Sequence, residues 1–366
     1  MDFTPTDAQR DLAKLTREIL ADCTADPWLD LARAGVLAAA LPLRAGGDGY
    51  GVLERASVLV ELGRAAAALP YLPSIATAAG AIARFGTDEQ VERWAVPAGR
   101  GSRTLTAALE AADPFRASRE GGRWVVSGAA TAVPAAPTAG LFLVPAGAAV
   151  FLVEPGDPGV TVEPQEVLGG PGAGWLTLDA VSLADDRLLG PPPESTSPVG
   201  ATAADPTGVA AADVGPAGGA VGAWSRAHAT VGACAAQLGV TERALEMTAE
   251  YAGTRVQFGR PIGSFQAVAQ RLADAYIDVE AIRLTMWQAA WRLSEDLPCE
   301  AEIATAKFWA ADGGHRVAHA AVHVHGGVGL DLDAPLHRYF LAAKYHEFTL
   351  GGATDHLRAL GATLTT

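Results

Sequence analysis

Along the first hundred residues apolar side chains return every three or four positions, the spacing of one buried helical face. Leu12, Leu15, Ile19 and Cys23 form the first stripe, with Thr4 placed to cap it and Pro5 at the first helical position. Further helical runs at 52–68 and 73–85 make residues 1–103 a helical domain. From Thr104 the period changes. Short runs of β-formers at 104–109, 124–127, 141–144, 150–153, 160–162 and 175–178 alternate with Gly and Pro, which predicts a β domain over 104–189. Residues 190–222 are rich in Pro, Gly, Ala, Ser and Thr and carry little bulky apolar surface, the composition of a linker. Helical spacing returns over 223–366. Its clearest stripe, Val268, Leu272, Tyr276, Val279, Ile282, Met286 and Ala290, predicts one long amphipathic helix between Ser264 and Trp291, with that face on a core.

Composition narrows the chemistry. The three cysteines, Cys23, Cys234 and Cys299, are far apart and odd in number, so neither a disulfide framework nor a cysteine zinc site is expected, and the cytoplasm is the natural compartment. No charged-then-apolar leader and no long apolar run is seen, which predicts no signal peptide and no membrane span. A formal net charge of −14 argues against nucleic acid, whose binding needs clustered Lys and Arg. His315, His319 and His323 share a helical face and His325 follows, but no Cys or carboxylate stands beside them at ligand spacing, so no metal is assigned. Gly218, Gly219 and Gly222 follow no strand and make no dinucleotide loop.

Two runs carry more. YAGTRVQFGRPIGSFQ (251–266) joins two helical segments through a turn with Arg, aromatic, Gly and Pro in fixed order, and VHGGVGLDLDAPLHRYFLAAK (324–344) holds a glycine-rich turn before a helix. The guanidinium of Arg255 offers a rigid fork to phosphate oxygens, and Gly326, Gly327 and Gly329 let backbone N–H groups approach an anion. The two runs resemble the signatures of the acyl-CoA dehydrogenase family. That resemblance implies an α+β multidomain fold: an N-terminal helical domain, a barrel-like middle β domain and a C-terminal four-helix bundle. It implies contact with FAD by Arg255, Phe258, Gln266, His323, Gly326, Gly327 and Gly329, the flavin ring lying in a neighbouring subunit.

The departures are selective. The family's proton-abstracting Glu maps either to a turn near the C-terminus, where Gly351 stands, or to the helix before the first signature, at Ala229; no catalytic residue is therefore assigned. The aromatic and hydroxyl platform for the flavin ring maps to Ala132 and Pro134, and the acyl-CoA loop has become residues 110–118, EAADPFRAS. Residues that reach a neighbour's cofactor are kept, whereas those that seat a ring and move a proton are lost. This pattern resembles the base-less partner chains of heteromeric actinobacterial acyl-CoA dehydrogenases. It implies an α2β2 heterotetramer with a homologous catalytic subunit, FAD shared between chains, and the acyl-CoA, possibly steroid-derived, held mainly by the partner. The alternatives are a homomeric enzyme with a relocated base, for which Glu347 and Asp355 flank the vacant turn, a flavin monooxygenase of the same fold, and a CoA-thioester-binding protein without flavin.

Overall fold

The computed structural model describes residues 4–22, 26–192 and 218–363. Cys23 and most of the segment read as a linker lie outside them.

The N-terminal region is helical: α1 (Asp7–Asp22), α2 (Pro27–Arg33), α3 (Val36–Ala39), α4 (Val52–Arg64), α5 (Gly80–Phe85), α6 (Asp88–Gln90) and α7 (Val96–Gly99). The cap of α1 is Thr6 rather than Thr4. Gln9 N donates to Thr6 Oγ1 (3.2 Å) and Thr6 N donates to Gln9 Oε1 (2.8 Å), so both ends of a reciprocal cap are made. Tyr71–Ala79 winds as a π-helix directly into α5.

The middle region is two four-stranded sheets. One has the order β1 (Thr104–Ala107), β4 (Ala139–Ala146), β5 (Ala149–Val153), β8 (Leu188–Leu189); the other runs β2 (Asp113–Glu120), β3 (Arg123–Pro134), β7 (Ala173–Leu183), β6 (Val160–Gln165). Only β1 and β4 pair in parallel. Phe115, Trp124, Phe142, Phe151 and Leu176 fill the shared core. The acyl-CoA loop of the sequence reading is largely β2, an edge strand whose buried side chain is Phe115. The Ala-rich run after Gly128 continues β3 to Pro134.

The C-terminal helices are α8 (Gly219–Thr254), α9 (Gln266–Ser294), α10 (Glu300–His325), α11 (Leu336–Phe348) and α12 (Ala353–Thr363), with the hairpin β9 (Val256–Gln257) and β10 (Arg260–Pro261) between α8 and α9. Helix α8 starts at Gly219, inside the stretch that composition assigned to the linker. It lies against α4 at two glycines. A Cβ on Gly239 would stand 1.9 Å from the Val60 carbonyl oxygen, and one on Gly63 would stand 2.1 Å from that of Ala236. The stripe of α9 is buried only in its second half, at Val279, Ile282, Met286 and Ala290. Val268 and Leu272 are half-exposed and Tyr276 is 58% exposed, because the first half of the helix runs past the elements that would cover it. Among the described residues no helix is long and apolar enough to cross a membrane.

Candidate cofactor and acyl site

Two surfaces carry the residues singled out from the sequence. The first is the end of α8 and the hairpin after it. Arg255 closes α8, its N–H donating to the Tyr251 carbonyl (2.8 Å), while its own carbonyl accepts from Ile262 N (2.8 Å). The chain reverses at Phe258 and Gly259, both at positive φ (53° and 80°), the geometry of a tight two-residue turn. Phe258 is thereby thrust outward and is 92% exposed, with its ring edge-on to Phe265. Arg255 is exposed and makes no ion pair among the described residues, and Gln266, the first residue of α9, is exposed as well.

Helix α10 ends at His325 and turns through Gly326 (φ 63°) into a 3-10 turn, Gly326–Leu330. His323, Gly326 and Gly327 are exposed. Nothing lies within 4 Å of where a Cβ on Gly326 or Gly327 would stand, so the turn presents open backbone. Gly329 instead packs inward, where a Cβ would stand 3.1 Å from Val322 Cα and His325 Cβ. The ring of His325 stacks on Tyr251, with centroids 4.3 Å apart, which joins the two sequence runs. The Gly326 N–H is given to the Val322 carbonyl, so the groups offered to a pyrophosphate are the unpaired guanidinium and the uncovered Gly327 backbone. The residues present therefore fit that part of a dinucleotide cofactor.

The second surface is a cavity of about 50 Å³ between the sheets, the π-helix, α8 and α11. Glu110, Ala132, Pro134, Ala229, Tyr345 and Leu350 are among its lining residues. Three of the vacated positions, Ala132, Pro134 and Ala229, thus meet at one point. The fourth, Gly351, is not in the wall; at the turn after α11 the lining residues are Thr349 and Leu350. Ligand pockets are commonly about 300–1,000 Å³, so the cavity is small for one. Ala132 gives its N–H to Gln165 Oε1 (2.7 Å).

The turn is tied down on all sides. Leu350 N donates to Glu110 Oε2 (3.1 Å), His356 Nε2–H donates to the Leu350 carbonyl (2.8 Å), and Gly352 N donates to Asp355 Oδ2 (3.0 Å). Lys307, fully buried, donates to the carbonyls of His346 (3.1 Å), Glu347 (3.1 Å) and Gly351 (2.8 Å). Burial lowers the Lys307 pKa, while the negative end of α11 and three acceptors favour its charged form. Burial also pushes His346, just before the turn, down to about 3, so its ring is neutral. Lys307, Glu110 and Leu350 were not singled out as site residues from the sequence. The only trace of Lys307 is a charge among Ala304, Ala306, Ala310 and Ala311, all buried on the same helix.

The flanking carboxylates are engaged elsewhere. Glu347 binds Lys344 (2.5 Å) and His315 Nδ1 (3.2 Å), Asp355 caps the turn, and neither lines the cavity. The rings of His315 and His319 stand 4.3 Å apart, and among the described residues no group of three or more His, Cys, Asp or Glu could hold a metal.

Comparison with known proteins places this geometry. Residues 6–102 match the acyl-CoA dehydrogenase N-terminal domain model and residues 220–363 the C-terminal domain model. Acyl-CoA dehydrogenase FadE27 of Mycobacterium tuberculosis is 46% identical, over 100% of this chain and 99% of the relative. FadE28 of the same organism is 33% identical, over 99% and 98%. Among solved structures, the ChsE4-ChsE5 complex from Mycobacterium tuberculosis superposes with a TM-score of 0.89 at 47% identity, over 100% of this chain and 99% of that one. A variant of the Tcur3481-Tcur3483 steroid ACAD gives 0.84 at 37% identity, over 98% and 97%. With both helical regions matched and full-length relatives above 30% identity, the chain belongs to the acyl-CoA dehydrogenase family.

Proposed function

We propose that this chain is the non-catalytic subunit of a heteromeric FAD-dependent acyl-CoA dehydrogenase, completing the flavin site of a homologous catalytic subunit in an α2β2 assembly. One observation carries the reading. An open phosphate-binding surface, with Arg255 unpaired and Gly326 and Gly327 uncovered, coexists with an acyl cavity of about 50 Å³ that has no base at Leu350, Gly351 or Ala229. The neighbours support it, since one of the solved structures is a complex of two named chains and the other, also named for two chains, is described as a steroid ACAD. The substrate class we favour is accordingly a steroid-derived CoA thioester held by the partner. Buried free thiols at Cys234 and Cys299 accord with a cytoplasmic setting.

The bound flavin supplies hydride acceptance for α,β-desaturation of the thioester. In this reading the chain's own residues do the rest of its work by binding. Arg255 holds phosphate oxygens through its fork, the open turn at Gly326 lets the anion approach the Gly327 N–H, and the exposed Phe258 and Gln266 border that surface. His323 faces solvent one turn before the glycines, where it can add a donor.

The test is a flavin count. The chain alone should purify colourless, and co-purified with its partner it should give one FAD per pair of chains. A stoichiometric flavin spectrum in the isolated chain would sink the proposal. A self-sufficient enzyme is the second reading, favoured by Glu110, the one acidic side chain in the cavity wall. In that case Glu110→Gln would abolish turnover by the chain alone.

A further inference from the structure

We propose that Tyr251 and His325 are positioning residues, which fix Arg255 and the glycine turn at the separation a diphosphate requires. The inference rests on the shared-cofactor reading and adds to it the device that assembles the site. Arg255 belongs to the end of α8 and the glycines to the end of α10, so the two half-sites come from elements distant in sequence. The rings of Tyr251 and His325 meet face to face, with centroids 4.3 Å apart and planes at 19°.

Each ring is anchored from its own side. The Tyr251 carbonyl accepts the Arg255 N–H (2.8 Å), so Tyr251 sits one turn before Arg255 and moves with it. His325 Nδ1–H donates to the Ala321 carbonyl (2.9 Å), which sets both its tautomer and the plane of the ring. His325 leads directly into Gly326, whose left-handed φ of 63° starts the turn. The turn then folds back so closely that a Cβ on Gly329 would stand 3.1 Å from His325 Cβ. His325 therefore stands between the end of α8 on one side and the folded glycine turn on the other. A binding constellation tolerates only about half an ångström of looseness before affinity falls, and here the stack joins the two halves.

The experiment uses the complex of this chain with its catalytic partner, stripped of flavin and titrated with FAD. His325→Ala should weaken FAD binding by about two- to tenfold, the range expected for one aromatic contact, with the complex still assembled and the unfolding midpoint of the flavin-free complex unchanged. His325→Phe keeps a flat ring and should restore affinity; Tyr251→Leu and Tyr251→Phe should repeat that contrast from the other side. The inference is overturned if His325→Ala binds FAD like the unmodified complex while Arg255→Ala does not, an outcome that leaves the shared site standing. It is equally overturned if the Phe variants bind as weakly as Ala and Leu, or if flavin loss accompanies dissociation. Should Arg255→Ala also bind FAD normally, the shared-cofactor reading falls with it.

Discussion

Arg255 is an exposed cation without an ion pair among the described residues, on a backbone fixed at both its N–H and its carbonyl. If it grips a cofactor phosphate, Arg255→Ala removes charge-assisted bonds of about 1.5–3 kcal/mol each. At the upper figure flavin affinity in the complex falls by about two orders of magnitude, and fluorescence titration resolves this. Arg255→Lys should recover only part, because an ammonium keeps the charge without the planar fork. Lys307 is the opposite case: a buried ammonium whose three bonds all go to carbonyls at the end of α11 and the turn beyond it. Its partners are structural, and its consequence is felt one level up.

At the scale of elements, the turn between α11 and α12 decides what the cavity can do. Leu350 occupies the wall, Glu110 and His356 hold its backbone and Lys307 holds the carbonyl of Gly351 beside it, so a carboxylate placed there faces a space of about 50 Å³. Leu350→Glu alone should give no measurable acyl-CoA oxidation by the isolated chain; substantial turnover would favour the self-sufficient reading. The residue that lines the wall could not be read from sequence, because the turn has two consecutive residues at positive φ, Leu350 and Gly351, and only their coordinates show which faces inward. The family signatures were legible for the opposite reason: each lies within a short, contiguous run. The strands divide in the same way. β4, buried but for Gly140, and β5, buried throughout, announce themselves as apolar runs, whereas β2 is a polar edge strand and the Ala-rich end of β3 shows no alternation. The second half of α9 matched its stripe, and its first half did not, because amphipathic spacing says that a face exists without saying what covers it.

For the whole molecule, packing around neutral imidazoles makes stability depend on acid. His346 is held down at about 3 and His228 well below its ordinary value, each chiefly by burial. Between about pH 3 and 6.5 the unfolded chain then binds protons that the folded chain refuses, so stability is full above that window and falls as pH falls through it. Each such histidine contributes a slope of up to about 1.4 kcal/mol per pH unit. Urea midpoints should therefore drop steeply between pH 7 and 5, and His346→Gln should flatten the curve by about one proton; an unchanged slope would show that His346 is protonated in the fold. An exposed apolar face of α9 bears on the molecule differently. Tyr276, Ile277 and Leu284 are each at least half exposed on one helix, and apolar surface of that kind left in water invites self-association. On the proposed assembly, a copy made in excess of its partner would carry this face unprotected and be lost to aggregation or proteolysis. The two chains would then have to be synthesised in step, and the abundance of one would set the surviving amount of the other.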